Sequence, residues 1–555
     1  MNLGLPTVTF QTLSRILAVS VAIAFISPKA ASEWFGISFK SFGLIRLIRV
    51  VILRLRKMIV RWRGQNQETS LRLALVARLD YGQVITSIRG EIMRDLDQPG
   101  RSAAMAENGM AATSHPDGTL AALDVLRDGG NAVDAAIAAV AVLGVVESAM
   151  TGVGGDCFVL YSPKRGDPIA LNGSGCAPGK ASVDWFRELG IAKIDQDSAH
   201  AVTIPGAVDA WCQLSKDYGT KGLDELLRPA IDKAENGYRI MDRVAFDHAG
   251  AVERMKKDEY LSARFLMGGQ SMPIGTKHTQ PQMAETLRRI AKDGRAGFYE
   301  GPVMEDIVNR LKSLGGGHEA EDFAAQHCEY VDPIHASFRD HEIYECPPNG
   351  QGLGALMMMR TLDGYDLSDG YSEADVIHLI TETTKMAYAA RDALFCDPKY
   401  VDVPVDYLLS DERAAWTRDR IDIGKATQFD SWNGFTAEHK DTTYLCVVDR
   451  DGNAISFINS IFKSFGSCIM APESGVILHN RGFSFRLEAD HPNRIEPGKR
   501  PMHTIIPGMA MRGGKTVMPF GVMGGHYQST GHTSFLSNMF DFGMDPQQAN
   551  EAPRH

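Results

Sequence analysis

The sequence lacks the short motifs that identify several common enzyme classes. Its eight cysteines are irregularly spaced and none forms a Cys-x-x-Cys pair, which argues against a disulfide framework and a zinc site. The glycine-rich turn Thr151–Asp156 lacks the Gly-x-Gly-x-x-Gly spacing, and the P-loop pattern is absent, so nucleotide binding is not indicated. Gly173-Ser174-Gly175 is one residue short of the Gly-x-Ser-x-Gly elbow of classical serine hydrolases. A net charge of −10 argues against general nucleic-acid binding.

Residues 1–104 differ from the rest of the chain and are interpreted as a basic N-terminal extension. Ile16–Ile26 is an apolar run of the length found in signal peptides. Leu44–Arg63 contains seven basic residues and no acidic one, which predicts an amphipathic helix lying on an anionic membrane surface. The alternative is that these residues precede the native start. We expect a cytoplasmic protein, and the extension leaves a periplasmic or membrane-associated location open.

From residue 105 onward the pattern is that of a globular α/β protein. Helices are predicted over Gly118–Arg127 and over the almost wholly apolar Ala132–Glu147, which Asn131 can cap. Strands are predicted at 157–161, 443–448 and 454–459, with a turn between the last two. The strand that begins at Thr443 is apolar on both faces, so we expect it to be buried between layers.

Asp441-Thr442-Thr443 stands at the start of that strand. A threonine hydroxyl is a poor nucleophile at neutral pH unless a base lies beside it, and its own α-amine can serve once the preceding peptide bond is cut. The hydroxyl of Thr442 could attack the carbonyl of Asp441 and leave Thr442 as a new N-terminus. On these three residues alone, an ordinary strand start is the favoured interpretation.

Ten segments, in the family's order, make the chain resemble the γ-glutamyltransferase family over residues 105–555. They are Gly109–Ser114, Leu126–Ala136, Thr151–Asp156, Val202–Gly206, Pro229–Ile231, Phe298–Gly301, Asp441–Tyr444, Pro472–Gly475, Lys499–Met502 and Gly524-Gly525. The resemblance implies an N-terminal-nucleophile (Ntn) hydrolase fold, a four-layer α/β/β/α sandwich. It also implies a precursor that cuts itself into a large chain, 105–441, and a small chain, 442–555, which stay together as a heterodimer.

The resemblance also implies roles for individual residues. Thr442 matches the nucleophile, and its new amine the general base. Ser460 stands where the family has a threonine that hydrogen-bonds the nucleophile. The backbone amides of Gly524 and Gly525 match the oxyanion hole, where glycines let the backbone approach the tetrahedral intermediate. No metal or organic cofactor is expected.

Three departures all affect the site that binds a glutamyl headgroup. Ser174 stands where the γ-glutamyl enzymes have an arginine, Ser484 where they have an aspartate, and His503-Thr504 where they have paired serines. This variant set resembles the oxamate amidohydrolase branch of the family, which cleaves the amide of a small anion. Arg481 and His503 are candidates to hold the substrate carboxylate. The alternative for Arg481 is an ordinary ion pair with a nearby acid.

Three functions follow as hypotheses. The first is hydrolysis of a small anionic amide such as oxamate through an acyl-threonine intermediate. The second is γ-glutamyl transfer, glutathione hydrolysis or acylase activity with a rebuilt headgroup site. The third is an uncleaved, inactive member of the family held at a membrane surface by residues 44–63. The chain stops soon after Ala552-Pro553-Arg554, where the family usually continues, so we expect a shortened C-terminus.

Overall fold

The computed structural model describes residues 100–428 and 442–554. The apolar run at 16–26, the basic segment at 44–63 and the carbonyl side of the predicted cleavage site, Asp441, lie outside the described residues. No helix of the described part is long and apolar enough to cross a membrane.

Six antiparallel strands form the larger sheet. The strands of the described chain are β1 (Gly109–Ala112), β2 (Asp156–Ser162), β3 (Ile169–Gly173), β4 (Tyr238–Arg239), β5 (Leu266–Met267), β6 (Gln270–Ser271), β7 (Lys277–His278), β8 (Glu329–Val331), β9 (Ile334–Phe338), β10 (His341–Glu345), β11 (Thr443–Asp449), β12 (Ala454–Ser460), β13 (Ile469–Met470), β14 (Ile477–Leu478), β15 (Gly508–Arg512) and β16 (Lys515–Phe520). The larger sheet has the order β1-β11-β12-β2-β3-β8. The predicted strands are therefore confirmed, and β12 runs one residue further than expected, to Ser460.

A second, four-stranded sheet has the order β16-β15-β10-β9 and packs against the first. The core between the two sheets contains Phe158 and Ile458 from the larger sheet and Met509 from the smaller one. The alternation of side chains along a strand accounts for this arrangement, since Phe158 and Leu160 point into this core while Val159 points to the opposite face. β11 lies between layers as expected, with Leu445 packed on the helix side.

Helices cover the outer faces of both sheets. They are α1 (Pro116–Arg127), α2 (Ala132–Val146), α3 (Val183–Glu188), α4 (Ala207–Tyr218), α5 (Leu223–Asn236), α6 (Asp242–Met255), α7 (Glu259–Phe265), α8 (Pro281–Asp293), α9 (Ala296–Tyr299), α10 (Gly301–Ser313), α11 (Ala320–Ala325), α12 (Gly352–Leu362), α13 (Glu373–Leu394), α14 (Val405–Leu408), α15 (Asp411–Arg418), α16 (Gln528–Phe540) and α17 (Pro546–Glu551). α2 is buried against the larger sheet, and α12 packs on the smaller one. The predicted four-layer α/β/β/α sandwich is confirmed.

The two predicted helices are found with small changes at their ends. Asn131 caps α2 as expected, and a reciprocal bond from its backbone N–H to Asp134 completes a capping box. α1 begins at Pro116, two residues earlier than predicted. The cause is local, because the ring of His115 accepts a hydrogen bond from the N–H of Asp117 and the proline fits the first helical position.

Candidate active site

Thr442 lies one residue before β11, and its side chain is buried against the end of β12. It is 2% exposed, and its Oγ1 lies 3.0 Å from Oγ of Ser460. Its φ is +129°, a conformation that a β-branched residue rarely adopts and that costs on the order of 1–3 kcal/mol. In the uncut chain Thr442 therefore has a strained backbone conformation at the peptide bond that precedes it. Cleavage would remove that constraint, because a free N-terminus has no φ to satisfy.

The end of β12 positions the hydroxyl partner of Thr442. Ser460 Oγ accepts a hydrogen bond of 2.9 Å from the backbone N–H of Phe462, which fixes its rotamer while leaving it able to bond Thr442. Asn459 is fully buried, and its side chain donates to Thr151 and accepts from the indole of Trp211. Neighbouring Thr443 donates to the Asn459 carbonyl, so the two strands are bonded to each other next to Thr442.

Gly524 and Gly525 form a tight turn between β16 and α16. Both have positive φ, +129° and +56°, which glycine adopts without a steric penalty. The Gly524 carbonyl accepts from the N–H of Tyr527 at 3.1 Å. The ring of His526, next in sequence, lies 6.4 Å from the ring of Phe462, so the turn is beside the segment that follows Ser460. Within the described chain, the N–H groups of both glycines have no hydrogen-bond acceptor.

Arg481 is a buried cation that contacts Phe462, two residues after Ser460. It is 1% exposed, its guanidinium lies 3.8 Å above the ring of Phe462, and its Nη1 donates to Oγ1 of Thr504 at 2.9 Å. Its Nε and Nη2 have no hydrogen-bond partner among the described residues. Burial lowers the pKa of Arg481 to about 9, against the opposing charge of Asp156, so the side chain stays positive at neutral pH. Two adjacent unpartnered N–H donors on a guanidinium are suited to a carboxylate.

Asp156 and two histidines lie next to Arg481. One Asp156 oxygen accepts from the N–H of Gly175, and the other is 2.9 Å from Nε2 of His503 and 3.3 Å from Nδ1 of His479. Burial works against ionisation of Asp156, and the two histidines outweigh it and hold its pKa well below the ordinary range. Burial and the nearby Arg481 lower the pKa of His503 to about 3. His503 is therefore neutral, and it supplies no positive charge for an anion.

The remaining predicted residues are Ser174, Ser484 and Thr504. Ser174 is fully buried, and its hydroxyl donates to Asn172 and accepts from Asn349. Ser484 ends the short helix that begins with Arg481, and its hydroxyl has no partner among the described residues. Thr504 contributes its hydroxyl to Arg481.

The sequence interpretation missed three residues of this group. Asp156 ends the glycine-rich turn Thr151–Asp156, and nothing in that turn indicates a buried carboxylate contact. Gln351 lies in the segment Pro347–Gly352, and nothing there indicates that its amide donates to the carbonyls of Thr504 and Gly525. Phe462 stands two residues after Ser460, and its aromatic ring under a guanidinium could not be foreseen without the position of Arg481. A polar residue inside a glycine-rich turn was the available signal for the first two.

Comparisons with known proteins identify the family to which the chain belongs. The sequence matches the family model described as Gamma-glutamyltranspeptidase over residues 118–555. It is 34% identical over 454 residues to the glutathione hydrolase-like YwrD proenzyme of Bacillus subtilis, covering 80% of this chain and 84% of that protein. It is 33% identical over 459 residues to the oxamate amidohydrolase proenzyme of Klebsiella pneumoniae, covering 82% and 86%.

Among solved structures, the cephalosporin acylase from Bacillus halodurans superposes with a TM-score of 0.76 at 36% identity. The match covers 84% of this chain and 86% of the acylase. Both curated relatives are named as proenzymes, and the family resemblance drawn from ten sequence segments is confirmed. The chain belongs to the gamma-glutamyltranspeptidase family and is an Ntn-type hydrolase.

Proposed function

We propose that this enzyme is cut between Asp441 and Thr442 and then hydrolyses the amide of a small anion such as oxamate. The observation that carries the proposal is the buried guanidinium of Arg481, which has two unpartnered N–H groups and is linked through one residue to the Thr442–Ser460 hydroxyl pair. The link between them is Phe462, which touches Arg481 and donates its N–H to Ser460.

The first step is self-cleavage. The hydroxyl oxygen of Thr442 adds to the carbonyl carbon of Asp441, the peptide C–N bond breaks, and the hydroxyl proton passes to the nitrogen, which becomes the free amine. The resulting ester is hydrolysed by water, which leaves a carboxylate on Asp441. The strained φ of Thr442 favours this step, since the strain is present only while the bond is intact. The products are the proposed large chain, up to 441, and small chain, from 442, held as a heterodimer.

The second step uses the new N-terminus on the substrate. The amine of Thr442 accepts the proton of its own hydroxyl while the oxygen adds to the amide carbon. The N–H groups of Gly524 and Gly525 stabilise the oxyanion, a kind of contact worth roughly 3–4 kcal/mol per donor. The proton passes to the leaving nitrogen, ammonia departs in the case of oxamate, and water then hydrolyses the acyl ester. No step needs a metal or an organic cofactor.

The charges around Arg481 support a small monoanion over a γ-glutamyl group. A glutamyl headgroup carries an ammonium that needs an acid, and Ser484 offers only a hydroxyl. Arg481 supplies one positive charge, and neutral His503 adds none. Oxamate has one carboxylate next to its amide carbon and no ammonium. The similarity to an oxamate amidohydrolase proenzyme agrees with this preference.

The test is kcat/KM of the purified, cleaved protein for oxamate and for glutathione, with Thr442→Ala as the blank. Each missing charged contact should cost glutathione about 1.5–3 kcal/mol, so oxamate should be preferred by roughly two powers of ten or more. Glutathione turnover equal to or faster than that of oxamate would support the glutathione hydrolase hypothesis instead.

We also propose a cytoplasmic location. All eight cysteines are free thiols, a state typical of a reducing compartment. Cell fractionation of the full chain tests this, and recovery with the membrane pellet would favour a contact through residues 44–63.

A further inference from the structure

Gln351 is a fully buried side chain that joins two loops of the candidate site. Its Nε2 donates to the carbonyl of Gly525 at 2.9 Å and to the carbonyl of Thr504 at 2.7 Å. Gly525 belongs to the turn with the free N–H groups, and Thr504 belongs to the segment that holds Arg481. Both hydrogens of the amide are thus used, one on each loop.

Arg391 and Tyr388 of α13 complete the support behind the turn. Arg391 is 1% exposed, and its Nη1 lies 3.0 Å from Oε1 of Gln351 and 3.2 Å from Nδ1 of His526. Its guanidinium stacks 4.0 Å from the ring of Tyr388, whose hydroxyl donates to the carbonyl of His526. The bond from Arg391 fixes which end of the Gln351 amide is the donor, because Arg391 can only donate.

These bonds determine the direction of the peptide groups in the turn. The carbonyl and N–H of a trans peptide point in opposite directions. The Gly524 carbonyl is held by the N–H of Tyr527, so the N–H of Gly525 points away from α16. Gln351 donates to the next carbonyl, that of Gly525, and so restrains the peptide group that joins Gly525 to His526. The peptide groups on both sides of Gly525 are therefore restrained. Without these bonds two successive glycines would be free to rotate.

We propose that Gln351, oriented by Arg391, is a positioning residue that keeps the N–H of Gly525, in the Gly524–Gly525 turn, aimed at the developing oxyanion. The inference rests on the proposed function, because it assigns that role to the two glycines. Gln351 does not touch the reacting atoms, and it acts through the carbonyl of Gly525.

The test is Gln351→Met, which keeps the volume and removes both donors. The backbone bonds His503 N–H to Asn349 and Gln351 N–H to His503 remain in the variant, so the segment that holds Arg481 keeps its position. In cleaved protein, kcat for oxamate should fall by about 10- to 100-fold with KM changed less than about threefold, since a small displacement of a catalytic group is that costly.

The matched control is Gln280→Met. Gln280 is also buried, and its Nε2 donates to the carbonyl of Val145 and contacts Ser148 and Tyr238. Its loss should lower Tm without lowering kcat. If Gln351→Met fails to mature, the variants Arg391→Met and Arg391→Lys test the inference instead. Arg391→Met should lower kcat. Arg391→Lys should keep much of the parent kcat, because lysine can still donate to Gln351.

A kcat for Gln351→Met within twofold of the parent, or an equal loss in Gln280→Met, would overturn the inference. An equal loss of kcat in Arg391→Met and Arg391→Lys would do the same. These outcomes differ from failure of the proposed function, which would show as a parent protein that is not cut before Thr442 or does not turn over oxamate.

Discussion

At the scale of single residues, the site combines a cation that has too few partners with a carboxylate that has several. Arg481 keeps two N–H groups unpartnered within the described chain, and a buried donor left unsatisfied costs about 1–3 kcal/mol. Asp156 accepts from the N–H of Gly175 and lies 2.9 Å and 3.3 Å from nitrogens of His503 and His479, and within the described chain it makes no hydrogen bond to those N–H groups. The free protein therefore carries an energetic cost at Arg481 that an anionic ligand would relieve.

Arg481→Met should separate binding from stability. The methionine fills similar space without a buried charge, so Tm should stay the same or rise. For oxamate, kcat/KM should fall by roughly two orders of magnitude or more, since a buried charged contact is worth about 2–5 kcal/mol. Self-cleavage should be retained, because the bond cut lies in the chain itself. The measurements are a thermal melt, a denaturing gel and steady-state kinetics.

Arg481→Lys is the control for that substitution, because it keeps the charge and loses the paired donors. Its kcat/KM should lie between those of the parent and Arg481→Met. Unchanged kcat/KM in Arg481→Met would mean that another group holds the carboxylate.

The sequence could propose Thr442 from a short segment that resembles the family, and Ser460 from a position where the family has a threonine; the structure places the two hydroxyls 3.0 Å apart. It could not predict the contacts of Asp156 or Gln351, because their partners are remote in the chain. His503 is 347 residues from Asp156, and Gly525 is 174 residues from Gln351. Pairs at that separation are fixed by the order of strands in the two sheets, which local patterns do not specify.

At the scale of elements, the close approach of the turn before β2 to the end of β12 positions Ser460. A Cβ on Gly155 would lie 2.4 Å from the carbonyl oxygen of Ser460, well inside any real contact. By contrast, a Cβ on Gly152 would meet nothing nearer than 3.9 Å. The sequence predicted the turn and both strands, but nothing in it indicated that the turn contacts Ser460, the hydroxyl partner of Thr442.

Gly155→Ala should displace Ser460 and weaken its bond to Thr442. We expect self-cleavage to slow by at least about tenfold and Tm to fall, as for overpacking in a core, which costs about 1–3 kcal/mol. Gly152→Ala is the matched control and should be close to neutral. Band intensities on a denaturing gel over time follow the cleavage. Equal cleavage rates in the two variants would show that the close contact does not position Ser460.

At the scale of the whole molecule, several histidines are buried in the folded state without charge. Burial lowers the pKa of His248, His278 and His318 to about 4. The charge of neighbouring His278 lowers the pKa of His248 further, and the charge of Arg264 lowers that of His278. Their pKa in the folded state lies below the ordinary value of 6.5. Between pH 4 and pH 6.5 the unfolded chain therefore binds more protons than the folded chain. The stability they contribute is complete above pH 6.5 and is lost as pH falls toward 4.

His248→Phe should flatten this acid dependence. Neither ring nitrogen of His248 has a partner in the described chain, and the ring packs 4.9 Å from Phe465 and 6.0 Å from Phe265, so phenylalanine suits the site. The free energy of unfolding lost between pH 6.5 and 4 should shrink by up to about 3 kcal/mol. His335→Phe, with a side chain 54% exposed, is the control and should change little. Identical pH profiles for the parent and His248→Phe would contradict this.

The central claim is that Thr442 cuts the chain and becomes its N-terminal nucleophile. The most direct measurement is intact mass together with N-terminal sequencing of the purified parent and of Thr442→Ala. The parent should give two chains, one of which begins Thr-Thr-Tyr-Leu-Cys, whereas Thr442→Ala should stay a single uncut chain because no hydroxyl remains to attack. An uncut parent, a new N-terminus at another residue, or cleavage that persists in Thr442→Ala would contradict the account.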